Sequence, residues 1–110
     1  MARVLDPGAL SARLILERPV ETPDGQGGAT VEYAALATLW ARIEPVAARA
    51  EEAAGALRAA VTHRIWLRRR AGLAGGMRLR KGARLFVLKA FRDPDETGRY
   101  TLCDCEEIKP

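Results

Sequence analysis

The sequence has few of the residues from which enzyme sites and metal sites are usually built. Its 110 residues include one histidine and two cysteines, with two each of Trp, Tyr and Phe. A hydrolytic triad needs a histidine beside a nucleophile and an acid, and a structural zinc site commonly needs four Cys or His ligands. Two cysteines also cannot form a disulfide framework, which favours a reducing compartment. We therefore expect no enzymatic activity, no metal and no cofactor.

The few candidates for site chemistry lie where structural roles are the more common outcome. His63 falls on the apolar face of an alternating segment, where a histidine is usually a hydrogen-bonded structural residue. Cys103 and Cys105 are two residues apart on a predicted strand, so they share a face and fit buried thiols. The carboxylates of the 93–96 loop match no calcium-binding spacing and fit a solvated turn.

Long apolar runs are absent as well. No segment approaches the ~18–20 apolar residues that cross a bilayer, and the first eight residues lack the basic and apolar regions of a secretory signal. With 48% apolar and 29% charged residues, the composition is that of an ordinary globular protein. We expect one soluble domain over residues 1–110 and no membrane partner.

Negative charge is missing from a long central segment. Residues 57–92 contain eleven Lys or Arg and no Asp or Glu, whereas the rest of the chain holds seven basic and fourteen acidic residues. Two interpretations remain open. The segment could contact an acidic partner, either nucleic acid or an acidic face of another protein. Alternatively, the two parts of the chain could neutralise each other across a folded sheet.

Alternating apolar and polar residues predict a chain of short strands. The first strand covers residues 12–18 and ends at Pro19, and a Gly-rich turn joins it to a second strand over 29–43 that Pro45 stops. Further strands are predicted at 61–70, 77–80, 83–91 and 99–108. This pattern indicates an all-β protein, a small antiparallel β-barrel or sandwich of about six strands with one long, partly helical loop.

The same alternation sorts the side chains into a core and a basic face. In the 61–70 strand the side chains on the core face are Val61, His63, Ile65 and Leu67. The residues predicted to be buried in a single core are Trp40, Ile43, Ile65, Leu67, Val87 and Leu102. The predicted basic face, on neighbouring strands with Trp66 among them, consists of Arg64, Arg68, Arg78, Arg80 and Arg84. Such a face could bind a nucleic-acid backbone or pack against an acidic ring of protein.

Residues 47–60 are the one stretch with strong helix propensity. They carry a single large apolar residue, Leu57, so a helix there would lack a broad apolar stripe to dock on a core. Two interpretations stay open. The stretch is either a projecting helical loop that becomes ordered against another subunit, or a small helix that caps one end of a barrel.

Several segments, in this order, resemble those of the head–tail joining proteins of tailed bacteriophages and phage-derived gene transfer agents, also called head-closure or stopper proteins. Residues 39–45, Leu-Trp-Ala-Arg-Ile-Glu-Pro, are similar to the family's Trp-Ala-x-Ile-x-Pro segment. Residues 61–65, Val-Thr-His-Arg-Ile, are similar to its Thr-His-x-Ile strand. The other matching positions are Gly8-Ala9-Leu10, Arg13, Glu17-Arg18-Pro19, Gly27-Gly28, Gly82, Phe86 and Leu102-Cys103.

This resemblance implies a small β-barrel with a long loop between the strands of Pro45 and Thr62, the place that residues 47–60 fill. It implies a structural ring, a hexamer or dodecamer of this chain, which closes the DNA-filled head below the portal and adaptor rings and docks the tail. The loop is the implied gating or subunit-contact element, with Arg49, Glu52, Leu57 and Arg58 as its contact residues.

The implied partners are further copies of the chain, the portal or adaptor ring, and a tail terminator or tail tube protein. Packaged double-stranded DNA is a further implied partner. The implied location is the head–tail interface of a virion or phage-like particle, after synthesis in the bacterial cytoplasm. The alternative function is that of a small nucleic-acid-binding β-barrel that uses the basic 57–92 face.

Overall fold

A computed structural model of the chain describes residues 9–46 and 60–108. The six strands are β1 (Ala12–Pro23), β2 (Ala29–Pro45), β3 (His63–Arg68), β4 (Arg78–Lys81), β5 (Arg84–Arg92) and β6 (Tyr100–Ile108). All pairings are antiparallel, and β4 pairs back with β1, so the strands close into a barrel in the order β1-β2-β3-β6-β5-β4. The predicted all-β class and strand number are confirmed. The predicted contact residues Arg49, Glu52, Leu57 and Arg58 lie outside the described residues.

The first strand is longer than predicted. It continues through Pro19 to Pro23, which pairs with Ala29 at the start of β2. Proline is tolerated there because β4 pairs with β1 only up to Glu17, and a strand edge without a further partner needs no donor at every residue. The connecting turn is held by Asp24, whose Oδ1 accepts hydrogen bonds from the backbone N–H groups of Gln26 and Gly28 at 2.7 and 3.1 Å.

The barrel interior is filled by side chains that alternate along every strand. The largest fully buried ones are Phe86, Leu14, Leu16, Ile65, Leu67, Leu79, Cys103 and Cys105. Ile65 and Leu67 are thus buried as predicted, and Ile43 packs partly buried against the same cluster. Burial raises the pKa of the Cys103 thiol to about 12 and also raises the pKa of Cys105, so both behave as apolar core residues.

Two of the predicted core residues lie on the outer wall of the barrel, and a third, Leu102, belongs to a second apolar cluster. Trp40 is 54% exposed, because Ala41 opposite Leu67 takes the inward position and its neighbour must face outward. Val87 is half-buried on the outer wall, between the inward-facing Phe86 and Leu88.

A second apolar cluster covers part of the outside of the barrel. It joins Leu102, predicted to lie in the single core, with Leu10, Trp66 and Tyr100. The placement of Trp66 on a solvated basic face is therefore wrong. Its ring is 4% exposed, packs edge-on against Tyr100 and donates a hydrogen bond from Nε1 to Glu44 Oε1 at 2.5 Å. Among the described residues, no helix has the length and apolar character to cross a membrane.

Candidate interaction surface

The five arginines of the predicted basic face are divided between two sides of the barrel. Arg64 and Arg68 lie on β3, which is flanked by β2 and β6. Arg78 and Arg80 lie on β4, which is flanked by β1 and β5, and Arg84 begins β5. The supposition that the five share neighbouring strands is wrong, because barrel closure places β3 and β4 three strands apart in either direction.

Arg78 and Arg80 are held by a carboxylate from β1. Glu17 pairs directly with Arg78 in the sheet, and its two oxygens accept hydrogen bonds from Arg78 Nε at 2.6 Å and Arg80 Nε at 3.1 Å. The Arg78 guanidinium also stacks 3.7 Å from the centroid of the Tyr33 ring. Burial by itself would raise the pKa of Glu17, but the bonds and charges of the two arginines outweigh it and lower that pKa below 4.5. Glu17 is therefore an ionised, nearly buried carboxylate that fastens β4 to β1.

Arg84 takes part in a polar cluster at the end of the barrel where β3 begins and β6 ends. It donates two hydrogen bonds to Glu107, from Nε at 2.8 Å and from Nη2 at 3.2 Å. The Glu107 backbone N–H donates to Thr62 Oγ1 at 2.7 Å, and the same hydroxyl lies 2.9 Å from His63 Nδ1. His63 packs edge-on against Phe86, with ring centroids 5.1 Å apart. We call Thr62, His63, Arg84 and Glu107 the polar cap; it places the one histidine in a structural setting.

The outer wall of β3, β6 and β5 carries alternating positive and negative charges. Asp104 on β6 lies between Arg64 Nε at 3.4 Å and Arg92 Nη1 at 2.8 Å. Lys89 Nζ lies 3.2 Å from Glu106 Oε1 on the same wall. Together with the arginines bound by Glu17 and Glu107, six basic residues of the 57–92 segment thus pair with carboxylates from outside it. This supports the interpretation that the two parts of the chain neutralise each other across the sheet.

Three consecutive arginines behave differently. Arg68, at the end of β3, and the adjoining Arg69 and Arg70 are exposed and form no ion pair within residues 9–46 and 60–108. We call them the arginine rim. Beside the rim, β2 continues past the end of β3, and the exposed Trp40 and Arg68 border a cleft of about 230 Å³. Trp40 was predicted to lie in the core, so this exposed aromatic surface was not predicted from the sequence.

The β1–β2 hairpin projects from the same end of the barrel. The pairing of β1 with β4 stops at Glu17, and that of β2 with β3 begins at Ala41. Residues 18–35 therefore form a two-stranded ribbon, in which β1 and β2 pair only with each other among the described strands. The ribbon extends about 20 Å beyond Glu17 at about 3.3 Å per residue, consistent with the elongated dimensions of 53 × 32 × 26 Å.

The ribbon is acidic and partly apolar. It contains three carboxylates, at Glu21, Asp24 and Glu32, against the single arginine Arg18. None of the three carboxylates forms an ion pair with another residue of the described ranges. Val31 on the ribbon is 54% exposed, and Leu36 at its base is 43% exposed. The arginine rim and the ribbon are thus two surfaces of opposite charge, each with an exposed apolar side chain and without a charge partner.

Comparison with known proteins gives a family and several similar solved structures. The family profile described as phage head completion protein matches residues 5–108. Protein SF1141 from Shigella flexneri 2a, known as a solution structure, is 25% identical, with a TM-score of 0.71 over 94% of this chain and 96% of that chain. A chain in the virion of a native gene transfer agent particle is 28% identical, with a TM-score of 0.66 over 91% of this chain and 96% of that chain. The curated proteins include no significant match.

Proposed function

The chain belongs to the phage head completion protein family and is a structural protein of a phage or phage-like head, and from this premise we propose that it is a ring subunit of the head–tail connector. The proposed ring, a hexamer or a dodecamer, closes the DNA-filled head below the portal and adaptor rings. Its opposite face docks a tail terminator or tail tube protein. One connector domain spans residues 1–110 in this proposal, with the 47–60 loop as the gating or subunit-contact element.

The likeness to a chain of a gene transfer agent virion carries this proposal. It covers 96% of that chain and 91% of this one, so it includes the barrel and the projecting ribbon rather than a single shared motif. The family profile matches residues 5–108, so this match also covers nearly the whole chain. A protein that matches a particle component over its whole length is best explained as the counterpart of that component.

We further propose that the subunit acts by binding and carries out no chemical reaction. His63 contacts Thr62 and packs against Phe86, and the two thiols lie in the core with pKa values raised by burial. These side chains are therefore used in holding the barrel together. Assembly with neighbouring rings then requires no cofactor.

The charge arrangement favours a protein interface over the alternative of a nucleic-acid-binding barrel. A surface that binds phosphates needs arginines whose charge is available to the ligand. Arg64, Arg78, Arg80 and Arg84 are instead bound to Asp104, Glu17 and Glu107. The arginine rim remains as the one group of neighbouring cations without an ion pair in the described part of the chain.

Reconstitution on isolated particles tests the proposed function. Filled heads that carry portal and adaptor rings but lack this protein are incubated with purified subunit, and electron microscopy and nuclease digestion follow. We expect a ring of density below the adaptor and protection of the packaged DNA. Heads that stay nuclease-sensitive and without added density at saturating protein would refute the connector function.

A charge-removing variant separates the two functions. If the rim lines a DNA channel, a variant with Arg68→Gln, Arg69→Gln and Arg70→Gln still forms rings, but the heads leak DNA. If the rim is a protein interface, rings fail to form. Lys81→Gln is the control for loss of charge, because Lys81 is an exposed cation at the end of β4 that forms no ion pair with the described residues.

A further inference from the structure

The ribbon is anchored at its base by Tyr33, which contacts Gly76 and Arg78, and beyond that base its strands pair only with each other among the described strands. Two-stranded ribbons are marginal in water, and their open edges invite pairing with another chain. Val31 on the ribbon is 54% exposed and adds apolar surface to it. Such an element gains stability when it lies against a partner, and the proposed ring supplies many copies of one partner.

The charge of the ribbon restricts the kind of surface it can bind. Glu21 lies opposite Val31 in the hairpin register, and Glu32 lies opposite Val20, so each face of the ribbon pairs a carboxylate with a valine. A complementary surface must therefore be cationic and must offer an apolar side chain at the same place.

The chain itself carries a surface with these properties. The arginine rim presents three adjacent guanidinium groups, and the cleft of about 230 Å³ beside it is bordered by Trp40, whose ring is 54% exposed. Arg13 lies 5.5 Å from the Trp40 centroid and adds a fourth cation. Within the described residues of one chain, the ribbon carboxylates and the rim arginines form no ion pair with each other. The two surfaces are therefore free to meet between chains.

We propose that the ribbon of one subunit binds the arginine rim and the Trp40 cleft of the next copy of this chain. The proposal rests on the ring function proposed above and identifies the contact that builds the ring. Because the ribbon and the rim are different surfaces, the contact is head-to-tail, and such contacts close into rings when the rotation per subunit permits. Carboxylate–guanidinium pairs fix the register, and Val31 against Trp40 supplies apolar burial.

Two charge-reversed proteins test this contact. The ribbon variant carries Glu21→Lys, on the ribbon face that also carries Val31, together with Glu32→Lys on the opposite face, and the rim variant carries Arg68→Glu and Arg70→Glu. Each variant alone places like charges at every subunit contact, so we expect the concentration needed for half-maximal ring formation on the adaptor platform to rise at least about tenfold. Asp24 is left unchanged because it holds the turn of the ribbon.

Mixing the two variants in equal amounts is the decisive measurement. In an alternating ring, a basic ribbon meets an acidic rim and an acidic ribbon meets a basic rim, so every contact becomes attractive again. We expect the mixture to assemble within about twofold of the wild-type concentration. If the ribbon bound the adaptor, or if the contact were within one chain, mixing would restore nothing. Either that result or normal assembly of one variant alone would overturn the proposal.

Controls and a platform-free readout separate this inference from the proposed function. An exposed charge away from both surfaces is reversed in the control variant Lys81→Glu, which should assemble normally. Thermal unfolding of all variants should match the wild type, because the changed residues are exposed. If wild-type subunits do not assemble on the adaptor platform, the proposed connector function is refuted. Sedimentation of the concentrated mixture of the two charge-reversed variants then still tests whether the ribbon binds the rim. Association of the mixture beyond that of either variant supports the contact, and its lack refutes it.

Discussion

At one end of the barrel Arg84 donates hydrogen bonds to Glu107, whose Oε1 lies 3.9 Å from His63 Nε2. At the other end, the three arginines of the rim face solvent without an ion pair in the described part of the chain. Both ends belong to the same basic segment of sequence. Arginines that reach a carboxylate within the fold neutralise the folded sheet and stabilise it locally. Arginines that do not reach one keep their charge available for another molecule. The ribbon, which projects beside the rim, carries three carboxylates that likewise form no ion pair with the described residues.

The largest expected loss in free energy of unfolding comes from a substitution in the barrel core, between the two ends. Replacing Ile65 with alanine should cost about 2–5 kcal/mol of unfolding free energy, because a fully buried branched side chain leaves a cavity among Leu14, Phe86 and their neighbours. Denaturant titration measures this value. The exposed Val31→Ala is the control and should change stability by less than about 0.5 kcal/mol. A loss at Ile65 as small as that of the control would mean that the inward face has been misassigned.

The Glu17 cluster should have the next largest effect. Glu17→Gln removes the negative charge between Arg78 and Arg80 and should cost about 2–3 kcal/mol, below the range for a fully buried pair because both arginines are partly exposed. Glu32→Gln, on the exposed ribbon, is the matched control and should cost less than about 0.5 kcal/mol. Equal losses for the two variants would contradict the stabilising role of Glu17.

The two ends of the barrel can be compared directly by one substitution in each. Arg84→Gln breaks the two-bond contact with Glu107 and should destabilise by about 0.5–1 kcal/mol, since the side chain is about half exposed. Arg70→Gln should leave stability unchanged to within about 0.3 kcal/mol, while it weakens ring assembly. A larger loss of stability for Arg70→Gln than for Arg84→Gln would mean that the rim, and not the polar cap, forms stabilising contacts within the subunit.

The smallest expected effect is a pH dependence from the polar cap. Burial lowers the pKa of His63 below 6.5; the carboxylate of Glu107 opposes this shift, and the charge of Arg84 adds to it. Folded His63 therefore binds its proton more weakly than the unfolded chain does, so protonation favours unfolding. Its contribution is complete above pH 6.5 and is lost as the pH falls below that value. Unfolding measured between about pH 8 and pH 5 should have a shallower pH dependence in His63→Gln than in the wild type.

Within one strand, the sequence was a good guide to the structure. Alternation over residues 61–70 predicted that His63, Ile65 and Leu67 share the inward face, and all three contribute to the interior or to the polar cap. It also predicted that the two cysteines share a face. These predictions succeeded because the direction of a side chain in a strand depends on the period of the pleat, which is a local property.

Burial and strand ends were predicted less accurately for the long strands β1 and β2. Trp40 in β2 was predicted to be buried in the core. The pairing of Ala41 with Leu67 decided otherwise. Pro19 suggested a strand end, but the ribbon has no further strand at its edges among those described and tolerates the proline.

By itself, the sequence determined the all-β class, the strand number and the separation of charge between the 57–92 segment and the rest of the chain. Only the tertiary structure decided which charges meet, because ion pairs form between residues up to 63 positions apart along the chain. Barrel closure separated β3 from β4, brought Glu17 to Arg80 and placed Trp66 under Leu10. The same closure left the arginine rim and the ribbon carboxylates without ion pairs among the described residues, since the register of a closed sheet is a property of all its strands together.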